Sequence, residues 1–287
     1  MRRYNPIIGK WETPDPKAEL LEISSPYVYA LNSPATFIDK DGELPIFIGG
    51  RVSHNSERAS ATYWDKELLN TISSSGIPNP GGTIKFVDGD VGAQYPAFSW
   101  NGHLTITHSS WTSEDRQVAG GLKAQEDLQD ILSQLEKDPN SGKIIEKIQI
   151  YTHSRGGAFG IGYTDKLIQL IKENSNLFQD ASQEIDFVYN MADHQSEGQT
   201  APEGVDEYSI HHNRDKFSGN GMKGLKGAAS TDEKSPGIVG AHANSSFVKD
   251  TKAFLKAWQK NKGDSKKLMA DFVATMKKYG VKVTVKE

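Results

Sequence analysis

A serine followed closely by two glycines lies between a predicted strand and a predicted helix. Residues 144–151 have the length and isoleucine content of a strand, and the apolar positions of residues 158–171 recur at helical spacing. Ser154 lies in the junction, and Gly156 and Gly157 come shortly after it. This is the context of a nucleophile elbow, in which a serine on a strained strand-to-helix turn presents its hydroxyl group. Ser154 is therefore the candidate nucleophile.

An oxyanion formed beside Ser154 needs backbone N–H donors. The residue after the nucleophile supplies one of them, and here that residue is Arg155. A second donor comes from the loop after an earlier strand. Gly50 follows an apolar strand and is the expected donor, with Ser109 as the alternative. Thr152 stands where the elbow pattern has its first glycine, so its bulk must be accommodated against the following helix.

A serine nucleophile needs a base, and the base needs a third group to orient it. In this arrangement the chain order is serine, then acid, then histidine. His211, His212 and His242 all follow Ser154, and we favour His242 because it lies in a loop of small residues before a helix. Asp215, after the second predicted strand beyond Ser154, is the preferred acid. The alternative, Asp193, follows the first of those strands.

The elements that must position these residues alternate along the chain from residue 43 onward. The pattern predicts strands at 45–48, 83–87, 103–107, 144–151, 185–189 and 207–211. It predicts helices at 59–73, 122–135 and 158–171, then a glycine-rich loop at 219–240 and two amphipathic helices near the end. Strands that alternate with helices predict an α/β fold: a mainly parallel sheet with helices on both faces.

Composition excludes several classes of protein. The 287 residues include 33 basic and 37 acidic side chains and 36% hydrophobic residues, which is typical of globular chains and not of collagen-like, coiled-coil or disordered ones. The absence of cysteine excludes thiolate metal sites and a cysteine nucleophile. A glycine motif at 219–224 lacks the following helix of a dinucleotide site. We expect no metal, organic cofactor or nucleic-acid partner.

Membrane and export signals are absent from the sequence. No apolar run approaches the roughly 18 to 20 residues that span a bilayer, and the basic start has no apolar segment of a secretory signal behind it. Any export is expected to use another route. Residues 243–287 carry eleven lysines against four acidic residues. This charge indicates either the solvated face of terminal helices or a surface for anionic lipid or an acidic partner.

The first 42 residues contain five of the twelve prolines and a distinctive series of short motifs. The runs YNPIIGKW at 4–11 and SPYVYALNSP at 25–34, followed by FID at 37–39, resemble the end of an Rhs repeat-associated core. The resemblance implies that 1–42 is a remnant of that core and that 43–287 is the C-terminal effector of a bacterial polymorphic toxin. Such an effector is delivered by a specialised secretion system, without a signal peptide, and has a cognate immunity protein as a candidate partner.

The run His153 to Gly157, HSRGG, resembles the elbow of α/β-hydrolase lipases and especially of lipase-like toxin effectors. Class 3 lipases carry their acid after the second strand beyond the nucleophile and their histidine late in the chain, which favours Asp215 and His242. The resemblance implies a serine esterase or lipase, with phospholipids as the favoured substrates and no cofactor. The alternative is a catalytically inactive hydrolase fold that serves as a binding or structural module of the toxin.

Overall fold

The computed structural model describes most of the chain from residue 43 onward. The described residues are 43–75, 84–91, 112–182, 184–219, 221–232 and 237–286, together with the backbone of four short strands outside these ranges. Apart from two of those strands, the predicted Rhs-like segment 1–42 lies outside the described residues, and so does Ser109.

The described strands, in chain order, are β1 (Tyr4–Asn5), β2 (Lys10–Trp11), β3 (Glu43–Gly49), β4 (Lys85–Asp88), β5 (Gln94–Phe98), β6 (Leu104–His108), β7 (Lys147–His153), β8 (Ile185–Met191), β9 (Glu207–His212), β10 (Gly227–Thr231) and β11 (Val283–Lys286). The described helices are α1 (Lys66–Ser73), α2 (Ser113–Gln134), α3 (Gly156–Glu173), α4 (Gly237–His242), α5 (Val248–Lys260) and α6 (Ser265–Lys278). None of these helices is both long enough and apolar enough to cross a membrane.

Seven strands form the central sheet, in the order β11-β10-β9-β8-β7-β3-β4. All neighbours pair in parallel except β10 and β11, which are antiparallel. The chain places β4 on one side of β3 and β7 on the other, so the strand order reverses between β3 and β7. In open α/β sheets, sites form at such a reversal, beyond the carboxyl ends of the strands.

Helices cover both faces of this sheet, and alternate strand residues reach the two cores. On β3, Ile46 and Ile48 pack with the buried side chains of α2 and α3, whereas Phe47 packs with those of α1, α5 and α6. On β7, Ile150 and Tyr151 divide in the same way. Two-sided burial explains why β3 is apolar continuously from Leu44 to Ile48. The arrangement confirms the predicted fold class, an α/β fold with a mainly parallel sheet.

Several predicted boundaries are wrong. The helix predicted at 59–73 begins only at Lys66, because the Asp65 carboxylate caps it by accepting the N–H groups of Glu67 and Leu68. Tyr63 therefore lies before the helix, in a 3-10 turn. The glycine-rich segment 219–240, predicted as loop, contains β10 and the start of α4. Small residues gave β10 no apolar run by which to recognise it.

A chain of polar side chains crosses three neighbouring strands inside the sheet. The Thr152 hydroxyl donates to the Asn190 side-chain oxygen, and the Asn190 amide donates to one carboxyl oxygen of Glu207. The other oxygen of Glu207 is buried without a partner among the described residues. Burial raises the pKa of Glu207 to about 8, because a charged carboxylate is costly in this environment.

Glu207 should therefore make the fold less stable as the pH rises. The folded protein keeps a proton that the unfolded chain releases near pH 4.5, so stability contributed below pH 4.5 is lost as the pH approaches 8. We expect Glu207→Gln to remove this loss, so that its stability relative to the native protein increases by roughly 3 to 4 kcal/mol between pH 5 and pH 8. Chemical denaturation at the two pH values measures it. Exposed Glu197→Gln is the control, and an equal change in both variants would contradict the assignment.

Candidate active site

The junction between β7 and α3 has the backbone geometry of an elbow. Ser154 adopts a left-handed conformation with φ of 57°, which is costly for a residue other than glycine. Three backbone hydrogen bonds hold it there. Its N–H donates to the Met191 carbonyl at 3.1 Å, and its carbonyl accepts from Gly157 at 3.1 Å and from His194 at 3.0 Å. The strain is thus maintained by contacts to the loop after β8.

Glycines allow α3 to begin against the sheet. A Cβ atom on Gly156 would lie 2.3 Å from the Ile48 carbonyl oxygen, so only glycine fits where the helix crosses β3. The helix also accommodates Thr152, which replaces the usual first glycine of the motif. A Cβ on Gly160 would lie 2.8 Å from the Thr152 methyl group, and its absence makes the room that the threonine needs.

The structure brings the three predicted residues Ser154, His242 and Asp215 together. His242 Nε2 lies 2.8 Å from Ser154 Oγ, and His242 Nδ1 lies 2.8 Å from Asp215 Oδ2. Because the ionised carboxylate only accepts, Nδ1 carries the proton and Nε2 accepts from the serine hydroxyl. The imidazole therefore has the tautomer that a general base requires. His242 is the last residue of α4, not part of a loop as predicted.

Asp215 is held as a carboxylate by several donors. Burial alone would raise its pKa, but hydrogen bonds from His242 and Ser218 and from the Phe217 N–H outweigh burial and lower the pKa to about 2. The Phe217 N–H donates to Oδ1 at 2.8 Å, and the Ser218 hydroxyl donates to Oδ2. Asp215 therefore stays charged throughout the neutral range and can stabilise an imidazolium at His242.

The alternative acid, Asp193, has a different partner. It lies in the loop after β8, fully buried, and accepts from the Ser209 hydroxyl at 2.7 Å. Its side chain packs against Gly157 at the start of α3, where a Cβ atom would come within 3.0 Å of the Asp193 Cβ. None of its hydrogen bonds reaches His242. Asp193 therefore packs against the start of α3, next to the elbow.

A second serine, histidine and aspartate also meet near the same sheet edge. His212 Nε2 lies 3.2 Å from Asp250 Oδ2, and His212 Nδ1 lies 3.2 Å from Ser246 Oγ. Both His212 and Asp250 are almost completely buried, at 1% and 0% side-chain exposure. Ser246 is not in an elbow, and it is also 2.7 Å from the Ala243 carbonyl oxygen. These contacts indicate a structural group that supports the segment after His242.

The two expected oxyanion donors differ in the structure. The Arg155 N–H has no hydrogen-bond acceptor among the described residues. It is therefore available to donate to an oxyanion. Gly50 lies against the nucleophile, and a Cβ on it would be 2.7 Å from the Ser154 Cβ. Its N–H, however, donates to the Tyr63 hydroxyl oxygen at 2.9 Å. The Gly50 N–H is thus engaged by Tyr63 in this structure, and the role of Gly50 as the second oxyanion donor stays a prediction.

Apolar side chains border the base. Phe217 is 46% exposed, and its ring centre lies 5.2 Å from that of His242. Ile238 and Val239 on α4 are 47% and 75% exposed. On the other side, the Arg155 guanidinium is turned to Asp90 at 2.7 Å. The apolar border gives the site a surface for an uncharged group beside His242.

Sequence reasoning missed His153, which contacts the His242 backbone, and Tyr63, which contacts His153. The motif gives His153 no role of its own, and Tyr63 falls within the helix predicted at 59–73. In the structure the Tyr63 hydroxyl and the His153 ring are in contact, and His153 reaches the His242 backbone. No periodic signal could have found this pairing, because the two residues are 90 positions apart.

Among the described residues, no group of three or more His, Asp or Glu side chains is arranged to hold a metal ion. No protein-family model matches the sequence, and no curated protein matches it. Among solved structures, a protein of unknown function from Agrobacterium tumefaciens matches over 63% of this chain and 71% of its own, at 13% identity and a TM-score of 0.30. A TM-score this low carries no argument about fold or function.

The left-handed backbone at Ser154 predicts an unusual order of stability. Glycine normally costs about 0.5 to 1 kcal/mol relative to alanine, but alanine at positive φ carries a larger strain. We therefore expect Ser154→Gly to be more stable than Ser154→Ala by about 0.5 to 1 kcal/mol, measured by urea denaturation. As a control, Ala274→Gly in the exposed part of α6 should be destabilising by about 1 kcal/mol. A more stable Ser154→Ala variant would contradict the elbow geometry.

Proposed function

We propose that this chain is a serine hydrolase of carboxylic esters, with Ser154 as nucleophile, His242 as general base and acid, and Asp215 as the group that orients His242. The observation that carries the proposal is the pair of 2.8 Å contacts through which His242 joins Ser154 to Asp215. The elbow backbone and the free N–H of Arg155 support it.

Acylation follows from these positions. His242 Nε2 accepts the Ser154 proton as Oγ attacks the ester carbonyl, and the charge on the carbonyl oxygen is stabilised by the Arg155 N–H. His242 then donates this proton to the departing alcohol, and the C–O bond of the ester breaks. In the second half, His242 takes a proton from water, the hydroxide attacks the acyl group, and Ser154 Oγ leaves with the proton. The products are an alcohol and a carboxylic acid.

The favoured substrates are esters with apolar acyl chains, and lipids among them. The exposed side chains of Phe217, Ile238 and Val239 beside His242 support this choice, because an acyl chain would cover them and release water from apolar surface. The resemblance of the elbow run to lipase-like effectors favours phospholipids in particular.

The resemblance of residues 1–42 to an Rhs core supports a role as the effector of a bacterial toxin delivered by a specialised secretion system. In that role an immunity protein would be the natural partner of the chain. The lysines of residues 243–287, carried mainly by α5 and α6, add a candidate surface for anionic lipid.

A fluorophosphonate probe tests the nucleophile directly. We expect it to label the native protein at one serine, and Ser154→Ala to abolish labelling. Ser246→Ala is the matched control, because Ser246 also contacts a histidine that pairs with an aspartate, and it should be labelled like the native protein. No labelling of the native protein, or equal labelling of Ser154→Ala, would contradict the proposal and favour the inactive binding module.

The acid can be assigned with two isosteric variants. Asp215→Asn should lower kcat for a p-nitrophenyl ester by roughly 10³- to 10⁴-fold, because the amide no longer selects the correct histidine tautomer. Asp193→Asn should retain most of the activity, since the Ser209 hydroxyl can still donate to the amide oxygen. Should Asp193→Asn alone lose turnover while both variants remain folded, the assignment of the acid is wrong.

The apolar border predicts a dependence on chain length. Replacing Phe217 by alanine removes apolar contact worth about 1.5 kcal/mol or more to a buried chain, so kcat/KM should fall roughly 10-fold for p-nitrophenyl decanoate and little for the acetate. Leu177→Ala is the control, because Leu177 is 39% exposed but pairs with Ile144 beyond the amino end of β7, at the opposite edge of the sheet. Equal losses on both esters would argue against acyl binding at Phe217.

A further inference from the structure

The His242 carbonyl contacts His153, which belongs to a group of side chains that take no part in the predicted chemistry. We propose that Tyr63, His153 and Asn244 form a base clamp: they are positioning residues that hold the His242 backbone so that its imidazole can reach Ser154 and Asp215 together. This inference rests on the proposed function. It extends the site by three residues that neither the elbow nor the triad requires.

The first arm of the base clamp acts through two side chains. His153 Nε2 lies 2.7 Å from the His242 carbonyl oxygen, and His153 Nδ1 lies 2.6 Å from the Tyr63 hydroxyl. A carbonyl oxygen can only accept, so Nε2 carries the proton and Nδ1 accepts from the Tyr63 O–H. The same Tyr63 oxygen accepts the Gly50 N–H at 2.9 Å. The donor and acceptor of each hydrogen bond in this arm are therefore determined. The arm joins the Gly50 loop, which lies beside Ser154, to the backbone of His242.

His153 is suited to this role because it stays neutral. Burial, and to a smaller extent the neighbouring His242, lower the pKa of its imidazole to about 3. A protonated His153 ring would carry an N–H at Nδ1, where the Tyr63 O–H already donates. Its positive charge would also repel the His242 imidazolium that forms during the proposed reaction. The ring centres of the two histidines are only 5.3 Å apart.

The second arm of the base clamp acts through Asn244. Its side-chain N–H donates to the Tyr63 carbonyl at 2.9 Å, and its side-chain oxygen accepts the Asp65 N–H at 2.8 Å. Tyr63 is therefore connected to the histidine segment twice, by its hydroxyl through His153 and by its carbonyl through Asn244. The two connections lie on either side of the bond between His242 and Ala243, so they limit both translation and rotation of the His242 backbone.

This restraint bears on the reaction because His242 must satisfy two short contacts at once. Both its contact with Ser154 Oγ and its contact with Asp215 Oδ2 are 2.8 Å long. Misplacement of a reacting group by about 1 Å lowers rates by roughly 100-fold. A displaced His242 backbone would lengthen one contact or the other, while substrate binding, which involves other surfaces, would be unaffected.

Kinetics of Tyr63→Phe test the base clamp. We expect kcat for p-nitrophenyl butyrate, and the rate of fluorophosphonate labelling, to fall roughly 10- to 100-fold with KM unchanged within about two-fold. Tyr163→Phe is the matched control: it also removes a buried hydroxyl that donates to a side chain, here Asp127 at 3.1 Å, but far from His242 in the fold, and it should keep the native kcat. Native kcat in a folded Tyr63→Phe variant would overturn the inference.

Substitution of His153 adds a test by rescue. His153→Leu cannot donate to the His242 carbonyl and should lose at least as much kcat as Tyr63→Phe. His153→Gln places an amide N–H near the position of Nε2 and should recover at least part of that loss. Equal kcat in the two His153 variants would show that the hydrogen bond to the His242 carbonyl does not matter.

A measurement independent of activity keeps the inference open to refutation if a variant fails to fold. Nitrogen NMR of the imidazole rings in the full-length Ser154→Ala protein should show His153 as the neutral Nε2–H tautomer from pH 5 to pH 8. An Nδ1–H tautomer, or protonation of His153 near pH 6.5, would overturn the base clamp whatever the reaction. If instead the native protein resists the probe while His153 has the expected tautomer, the proposed function fails and the hydrogen-bond arrangement stands.

Discussion

The parallel pairing of β3 with β7 is the constraint on which the site depends. Its register sets Ile48 opposite Thr152. The segments that follow β3 and β7 therefore leave the sheet side by side, and Gly50 lies against Ser154. Parallel neighbours require crossover connections, and these supply the helices on both faces of the sheet. The strand order also reverses at this pair, which is where sites form in open α/β sheets.

A strained backbone at Ser154 is stable only because its surroundings determine it. The Ser154 N–H and carbonyl are both hydrogen-bonded to the loop and strand end of β8, and α3 begins at once against β3. The polar groups nearby follow the same rule. His153 stays neutral and hydrogen-bonded at both nitrogens, and Asp215 stays charged with four donors around it. The hydrogen-bonding groups are thus already oriented, which is the preorganisation that the proposed hydrolase activity would require.

Much of the fold could be predicted because long buried strands and amphipathic helices have strong periodic patterns. β7, α3 and β8 were predicted within a few residues of their bounds. β10 and β11 were missed, since one consists of small residues and the other is short and half exposed. Ser154, Asp215 and His242 could be proposed as a group because the order serine, acid, histidine along the chain limits the candidates. The engaged N–H of Gly50 could not, because its acceptor is a tyrosine hydroxyl from another segment.

By itself the sequence determined the α/β fold class and the candidate nucleophile, because both depend on local patterns: apolar periodicity, and small residues around Ser154. Only the tertiary structure shows that Asp215, and not Asp193, contacts His242, and only it joins Tyr63 to His153. Both aspartates follow strands at the same sheet edge, so order along the chain cannot separate them. What separates them is the partner of each side chain: Asp215 contacts His242, 27 positions away, whereas Asp193 accepts from Ser209, 16 positions away.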